Sequence, residues 1–493
     1  MTTQPDSSNG SASPATGAPK LGLWDAVSLV VGIVVGTSIF RASTQVFQNT
    51  AGPWQSLLAW LAGGGLSLVG ALCYAELATT YRRSGGDYVY LTEAYGRWAG
   101  FLFGWAQLVA VWTASVGTMA YAFGDYGVRL FHLEQSATVW LAAAAVIAVA
   151  AVNAGGIALG KLTQNVLTIA KVAGLVGVIL AGVACAIAQY NEGDHQASRG
   201  VPAPGAAATA TNNDDATLPK TSFGLAMVFV LYAYGGWNDA AFVAADVRDL
   251  NRNLPLALLG GVGGVTLIYL AVNAAYLAAL GFDGAQQSYA PAADAVAAAA
   301  GPVAAQWVSG LVMISALGAI NGMIFAGSRV FAAFGTDHRL FAWLGRRVDA
   351  DRTPLAAIAA QAGVSLAMIF AVGTQRGQAT IDAAFTTIGA PAVPWETYFG
   401  GFDTLLAATA PVFWALFLAV GVGLMVLRRK HPQRPRPFSV PLYPLPPLVF
   451  CGTCLFMLYS SLDYAKWLAL LGAAPVAVGM LLYLVTRRPA AAT

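Results

Sequence analysis

Apolar runs of about 20 residues recur along this 493-residue chain from about Leu23 almost to its end, separated by short polar turns. About twelve can be counted, centred near Val34, Leu66, Val111, Val146, Gly174, Val230, Leu267, Ser315, Leu366, Leu416, Leu455 and Ala473. Each is long enough to cross the hydrocarbon core of a bilayer as a helix. They are too long and too uniformly apolar for the alternating strands of a barrel, and lipid offers an open backbone no partner. The pattern predicts an all-α polytopic membrane protein.

Two of these spans are interrupted in the middle. In the first, Gly32-Ile33-Val34-Val35-Gly36-Thr37-Ser38 puts two glycines and two hydroxyl residues where an ordinary span carries leucine, and both kinds weaken a helix. In the sixth, Tyr234-Gly235-Gly236-Trp237-Asn238-Asp239 breaks the run that begins at Phe223. The two breaks open a first and a second set of five spans, the spacing that an inverted repeat produces. The expected organisation is a disordered tail over 1–21, a first repeat over 22–189, an external loop over 190–221 and a second repeat over 222–429. Two additional helices over 430–486 and a tail over 487–493 follow. An insertion at 374–401, with Pro391, Pro394 and Trp395, reads as a partly ordered external cap on the second repeat.

An unwound stretch at the bilayer midplane leaves backbone groups that a ligand can satisfy. A helix restarting near Gly36 aims free N–H groups and the positive end of its dipole at the gap, which suits a carboxylate. Carbonyls ending the preceding half suit an ammonium group or a cation. The competing reading of Gly32 and Gly36 is a small-residue packing face, and the matching break in the sixth span weighs against it. Trp237 and Tyr232 fit either a pocket wall or the bundle core. Asn238 and Asp239, polar at membrane depth, are better placed in a cavity.

Lys171 lies inside the fifth span, and two readings are open. Its amine either snorkels towards the inner surface, or it is functional, taking the place of a coupling sodium ion or carrying a proton. Glu76, with Arg82, Arg83 and Ser84-Gly85-Gly86-Asp87, closes the second span, as a solvated helix end or as a gating network in which Asp239 is a further candidate.

Composition narrows the class. Hydrophobic residues make up 57% of the chain and charged residues 10%, with a mean hydropathy of +0.63. A soluble domain carries roughly 25% charged residues, so this chain lacks the charge to coat a water-facing surface. Cys73, Cys185, Cys451 and Cys454 all fall in or beside apolar spans, which gives no disulfide framework and reads as packing. His338 and the other histidines show no metal-ligand spacing, and no P-loop or catalytic triad pattern is present, so neither cofactor nor enzyme chemistry is expected.

The first twenty residues have no apolar stretch and no signal-peptide pattern. If the N-terminus is cytoplasmic, the inner turns hold Arg82, Arg83, Arg97, Lys161, Arg248, Arg252, Arg339, Arg346, Arg347 and Arg352. They also hold the cluster Arg428, Arg429, Lys430, Arg434 and Arg436, and then Arg487 and Arg488. The outer turns hold only Arg41, Arg129, Arg199, Lys220, Arg376 and Lys466. Both termini are expected inside the plasma (inner) membrane. Juxtamembrane basic residues account for the net charge of +3, and no nucleic acid is needed to explain it.

At several of these stretches the chain resembles the amino acid, polyamine and organocation (APC) transporter superfamily, and within it the L-type amino acid transporter group and bacterial amino acid permeases. The matching segments are Gly32 to Phe40, Cys73-Tyr74-Ala75-Glu76-Leu77 through Ser84-Gly85-Gly86-Asp87-Tyr88, Lys171, and Ala233-Tyr234-Gly235-Gly236-Trp237-Asn238. Arg252-Asn253-Leu254-Pro255 and Arg434-Pro435-Arg436-Pro437-Phe438 also match. The resemblance implies a LeuT-type fold of two inverted five-helix repeats plus two helices, with alternating access around a midplane site. It implies a substrate carboxylate at Gly36, Thr37 and Ser38, in a break that also includes Gly32 and Val35. It implies an amino group at carbonyls near Tyr232, Ala233 and Gly235, an aromatic lid at Tyr232, and sodium independence from Lys171.

The chain departs from the family pattern at four places. Ser38 stands where a second glycine is usual. Arg41 brings a positive charge near the outer mouth, which favours anionic ligands. The segment Arg129 to Ser136 has no cysteine for a disulfide to an accessory heavy chain, and the 374–401 insertion is unusual.

The leading expectation is a secondary carrier of amino acids, by exchange or with proton coupling. Gly235, where relatives that handle cationic substrates can carry an acid, leans towards neutral substrates, and Asp239 keeps cationic ones open. The alternatives are polyamine or organic-cation transport, which needs pocket acids such as Asp239 and Asp246, and a receptor that senses substrate without moving it. A channel is disfavoured, since no ring of charges or filter sequence appears.

Overall fold

Each apolar run folds as a helix, because only an intrahelical ladder satisfies the backbone within lipid. The structure, a computed structural model, describes residues 21–83, 85–191, 223–288, 290–346, 353–393, 395 and 400–486. The expected N- and C-terminal tails, nearly all of the 190–221 loop, Ser84 and Pro394 lie outside these residues. Among the described residues there is no β-strand, only an isolated backbone bridge between Leu21 and Val247.

The first span is two half-helices, α1 (Leu23–Val34) and α2 (Ser38–Gln48), bent by 51° at the break. The second is α3 (Pro53–Thr80). A short α4 (Asp87–Tyr95) leads into the third, where α5 (Arg97–Ala106) and α6 (Trp112–Phe131) are joined by one π-helical stretch over Gln107–Val111. α7 (Ala137–Ala154) and α8 (Ile157–Asn191) complete the first set of five.

The sixth span repeats the broken design, with α9 (Phe223–Ala233) followed after a turn by a 3-10 segment over Trp237–Asp246. Then come α10 (Leu250–Gln287), a short α11 (Pro291–Ala300), α12 (Pro302–Asp337), α13 (Leu355–Gly373), α14 (Gln375–Thr387) and α15 (Gly400–Lys430). The last two spans are α16 (Leu445–Ala465) and α17 (Leu470–Thr486).

By length and composition nine described helices can cross a membrane, and the bent α1–α2 pair makes a tenth. The 41-residue stretch Leu445–Val485 is one of the nine. It would rise about 60 Å if straight, twice the hydrocarbon thickness of about 30 Å, and the chain turns at Lys466 with φ 47°. It therefore holds two crossings. With the broken sixth span this gives twelve, the LeuT-type arrangement of five, five and two.

The insertion is partly described. α14 is anchored by Asp382, which accepts from the Val393 N–H at 3.1 Å and from Trp395 Nε1 at 2.9 Å. Phe385 and Val393 pack with Ala407, Ala408 and Leu468 as a small second core beside the main one.

The basic turns gather at the end of the bundle that carries Leu21. Lys161 Nζ lies 3.2 Å from Asp25, Arg82 donates to Asn251 at 3.0 Å, and Arg83 holds both oxygens of Asp337 at 2.5 and 2.6 Å. Glu76 is not a solvated helix end, for it is 1% exposed. Its carboxylate accepts from Arg428 Nε at 2.8 Å, from Arg428 Nη2 and from the Val440 N–H at 2.7 Å, with Arg436 Nε at 3.5 Å. This cluster binds α3 to α15 and to the segment that follows it.

Asp87, at the start of α4, is also buried, and Tyr74 donates its hydroxyl to it at 2.8 Å. Burial pushes its carboxyl up to about 8, against the pull of the Tyr74 hydrogen bond.

Removing Arg428 leaves the Glu76 charge buried and underpaired, at about 3–5 kcal/mol. Arg428→Ala is expected to lower the melting temperature in detergent sharply, and Glu76→Gln in that background to recover part of the loss. A variant that melts with wild type would remove this cluster from the fold's supports. The Asp87 value in the folded protein lies above the unfolded 3.8, so the unfolded chain gives up this proton first. The stability supplied by the neutral form is complete below pH 3.8 and is lost as pH rises through about 8. Melting curves across this window should fall for wild type and stay flatter for Asp87→Asn.

Candidate functional site

The first break begins where α1 ends at Val34. Val35 leaves helical geometry at φ −74°, ψ 68°, and the Gly36 N–H folds back on the Val34 carbonyl at 2.7 Å. The new helix starts at Ser38, so the free N–H groups at its head are those of Thr37, Ser38 and Ile39 rather than that of Gly36. This corrects the expected role of Gly36, whose amide is already used.

The sixth span breaks after Ala233. Gly236 has φ 99°, and a side chain there would put its Cβ 2.6 Å from Ile33 Cγ2. Glycine is required twice over, for the left-handed turn and for close approach of the two breaks.

Tyr269 of α10 ties the breaks together. Its hydroxyl lies 2.9 Å from the Val34 carbonyl and 3.1 Å from that of Ala233, and its single proton can serve only one of them at a time. The Tyr232 carbonyl accepts the Gly235 N–H at 3.0 Å. The Tyr232 and Ala233 carbonyls each keep a second lone pair for a ligand, whereas that of Val34 is filled by the Gly36 N–H and Tyr269.

Lys171 does not snorkel. It is 0% exposed. Its ammonium donates to the carbonyls of Gly32 at 2.7 Å, Val35 at 2.8 Å and Ser315 at 3.1 Å. Three N–H donors thus meet three carbonyls, from the end of α1, the break itself and α12. Gly318 makes the room, since a Cβ there would lie 2.8 Å from the amine.

Between the breaks lies a cavity of about 150 Å³. A water needs about 10–15 Å³, so the space suits a small solute of on the order of ten heavy atoms. Of the residues singled out from sequence, Gly36, Ser38, Tyr232, Gly235, Asn238 and Asp239 line it. Gly32 and Val35 turn their carbonyls to Lys171 instead. Thr37 is buried with its hydroxyl 3.6 Å from Met119 Sδ. Ala233 is buried and reaches the site only through its carbonyl.

Trp237 belongs to the core. Its ring packs on Tyr74 at 5.1 Å, Phe417 at 5.6 Å and Phe450 at 6.4 Å, and the small Gly70 lies against it. The ring turns away from the cavity because a 3-10 segment has three residues per turn, so Trp237 falls on a different face from Asn238, Asp239 and Phe242, which line the cavity.

The rest of the wall was not apparent in the sequence. Gln107, Trp112 and Ser115 come from the third span, Ala319 and Met323 from α12, and Thr409 and Phe413 from α15. The π-helical stretch adds a residue to the turn and rotates Gln107 and Val111 into the wall.

Towards the Leu21 end the cavity is closed. Leu21 N–H donates to the Asp246 carbonyl at 2.9 Å, Arg248 N–H donates to the Leu21 carbonyl at 2.8 Å, and Arg329 Nε lies 2.8 Å from Asp246. At the opposite end Arg41 sits 4.0 Å from Asp403 and 4.5 Å from the centre of the Phe402 ring. Its charge is therefore shared with Asp403 rather than offered alone to an anion.

A family model described as amino acid permease matches residues 21–477. The human b(0,+)-type amino acid transporter 1 is 28% identical over 469 residues, 94% of this chain and 87% of that protein. The human cystine/glutamate transporter is 30% identical over 448 residues, 90% and 80%. The serine/threonine exchanger SteT of Bacillus subtilis (strain 168) is 27% identical over 449 residues, 90% and 91%. Among solved structures, MHP1, a nucleobase-cation-symport-1 family transporter in a closed conformation, superposes with a TM-score of 0.53 at 13% identity, covering 94% of this chain and 96% of that one. That likeness speaks for the fold alone. The twelve-span architecture with two broken helices and the match over nearly its whole length place this chain in the amino acid permease family, a family of carriers and not of enzymes.

Proposed function

We propose that this protein is a secondary active carrier of amino acids that works without sodium, by exchange or with proton coupling, through alternating access to the cavity between the breaks. The observation that carries this reading is the hold of three carbonyls on the Lys171 ammonium. A fixed amine where α1, α8 and α12 meet brings the positive charge that an alkali cation would otherwise supply there.

The breaks offer partners for what all amino acids share. The head of α2 at Ser38 suits the α-carboxylate, and the carbonyls of Tyr232, Ala233 and Gly235 suit the α-ammonium. Tyr232, on the wall, closes over the bound molecule. The names of the relatives agree, for all three are transporters or exchangers of amino acids. Gly235 leaves its part of the wall open to neutral side chains.

The basic end of the bundle faces the cytoplasm of the cell membrane in this reading, with both termini inside. Opening inwards then parts Arg329 from Asp246 and loosens the Glu76 cluster. Opening outwards parts Arg41 from Asp403. The segment 129–136 holds no cysteine, so a disulfide-linked accessory chain is not expected through it.

Counterflow of labelled amino acids into sodium-free proteoliposomes tests the reading. Exchange should proceed at full rate without sodium, and strict sodium dependence would remove the role given to Lys171. Lys171→Ala leaves the buried carbonyls of Gly32 and Val35 without this donor, each worth about 1–3 kcal/mol, and should cut the rate by roughly tenfold or more. A variant that folds, as judged by its melting curve, and transports like wild type would overturn it.

A further inference from the structure

Asp239 is 8% exposed and sits on the cavity wall. Among the described residues no cation and no hydrogen-bond donor is paired with its carboxylate. No lysine, arginine or histidine lines the cavity, and the nearby Lys171 ammonium is occupied by three carbonyls.

An adjoining polar atom is an acceptor too. Asn238 Oδ1 is buried on the same wall without a partner. A buried acceptor and a buried carboxylate in a low dielectric call for a donor, best a cationic one. The cavity is where it can come from.

Distance narrows the ligand. Asp239 lies four residues beyond Gly235, across the left-handed turn at Gly236 and at the start of the 3-10 segment, which keeps the two within roughly 10 Å. A side chain of four carbons and a terminal nitrogen spans five bonds, roughly 6 Å when staggered, and a hydrogen bond of about 3 Å closes the gap. A ligand whose α-ammonium rests at the sixth-span carbonyls can therefore put a terminal amine at Asp239. Short neutral side chains stop before it.

We infer that Asp239, with Asn238 beside it, is a side-chain subsite for a terminal ammonium, and that the carrier takes linear amino acids with a cationic side chain. The inference rests on the amino-acid reading above and replaces the lean towards neutral substrates that Gly235 suggested. Here the acid comes four residues later in the chain, on the same cavity wall.

Counterflow with lysine, ornithine, leucine, alanine and putrescine in proteoliposomes tests it. Wild type should exchange lysine or ornithine at least about tenfold better than leucine, and Asp239→Asn should lower the lysine-to-leucine ratio by roughly ten- to a hundredfold. Asp239→Glu should keep lysine preferred. Lysine, and not leucine, should raise the melting temperature of the purified wild-type protein, a readout that needs no variant. An unchanged ratio in Asp239→Asn overturns the subsite. Exchange of leucine or alanine with lysine excluded, whether or not a proton accompanies it, also overturns the subsite and leaves the amino-acid reading standing. Exchange of putrescine and no amino acid keeps the acid subsite and sinks the amino-acid reading, and no exchange of any of the five sinks both.

Discussion

A carbonyl in hydrocarbon without a donor costs roughly 2–7 kcal/mol, and a helix broken at the midplane exposes several. The tie between Lys171 and the carbonyls of Gly32, Val35 and Ser315 is the arrangement on which the rest of this structure depends. It works in both directions, since a buried ammonium is as costly alone as the carbonyls are. The broken helix makes the lysine tolerable and the lysine makes the break tolerable. Ser315 brings α12 into the same contact, so one side chain of the first repeat holds its own broken helix against the second repeat.

The second break is held by other means. Tyr269 reaches both Val34 and Ala233 from α10, and Gly236 lets Ile33 approach its backbone. The two unwound segments therefore touch each other as well as their supports. A cavity between them inherits this rigidity on two sides. Its other walls, the third span and α15, meet the breaks through side chains, Trp112 against Phe242 at 4.7 Å and Phe417 against Trp237 at 5.6 Å.

Much of this was legible in the sequence because it violated a rule. Glycines, hydroxyls and a lysine stand out where lipid demands leucine, and the twin breaks at Val35 and Tyr234 were visible for that reason. Tyr269 and Gln107 broke no rule. A tyrosine in an apolar run reads as core, and a π-helical stretch has no composition of its own. Trp237, an aromatic beside a break, reads equally as pocket wall or core in the sequence, and only the coordinates turn it towards Tyr74 and Phe417. The amide of Gly36 was misjudged because a tight turn onto Val34 cannot be seen without coordinates. The charge asymmetry of the turns, by contrast, depends only on counting, and the structure ties described members such as Lys161, Arg82 and Arg83 into ion pairs and hydrogen bonds between the turns.

The first break has two faces. The carbonyls of Gly32 and Val35 point away from the cavity to Lys171, while Gly36 and Ser38 face it. The Lys171 amine is thereby taken up behind the backbone, on the side of the loop away from the cavity. Any motion that draws α1 away from α8 strains the lysine tie and shifts the cavity wall together, because both are the same few residues. That shared backbone gives occupancy of the cavity a mechanical route to the closure at Leu21 and Asp246, one helix length away along α1.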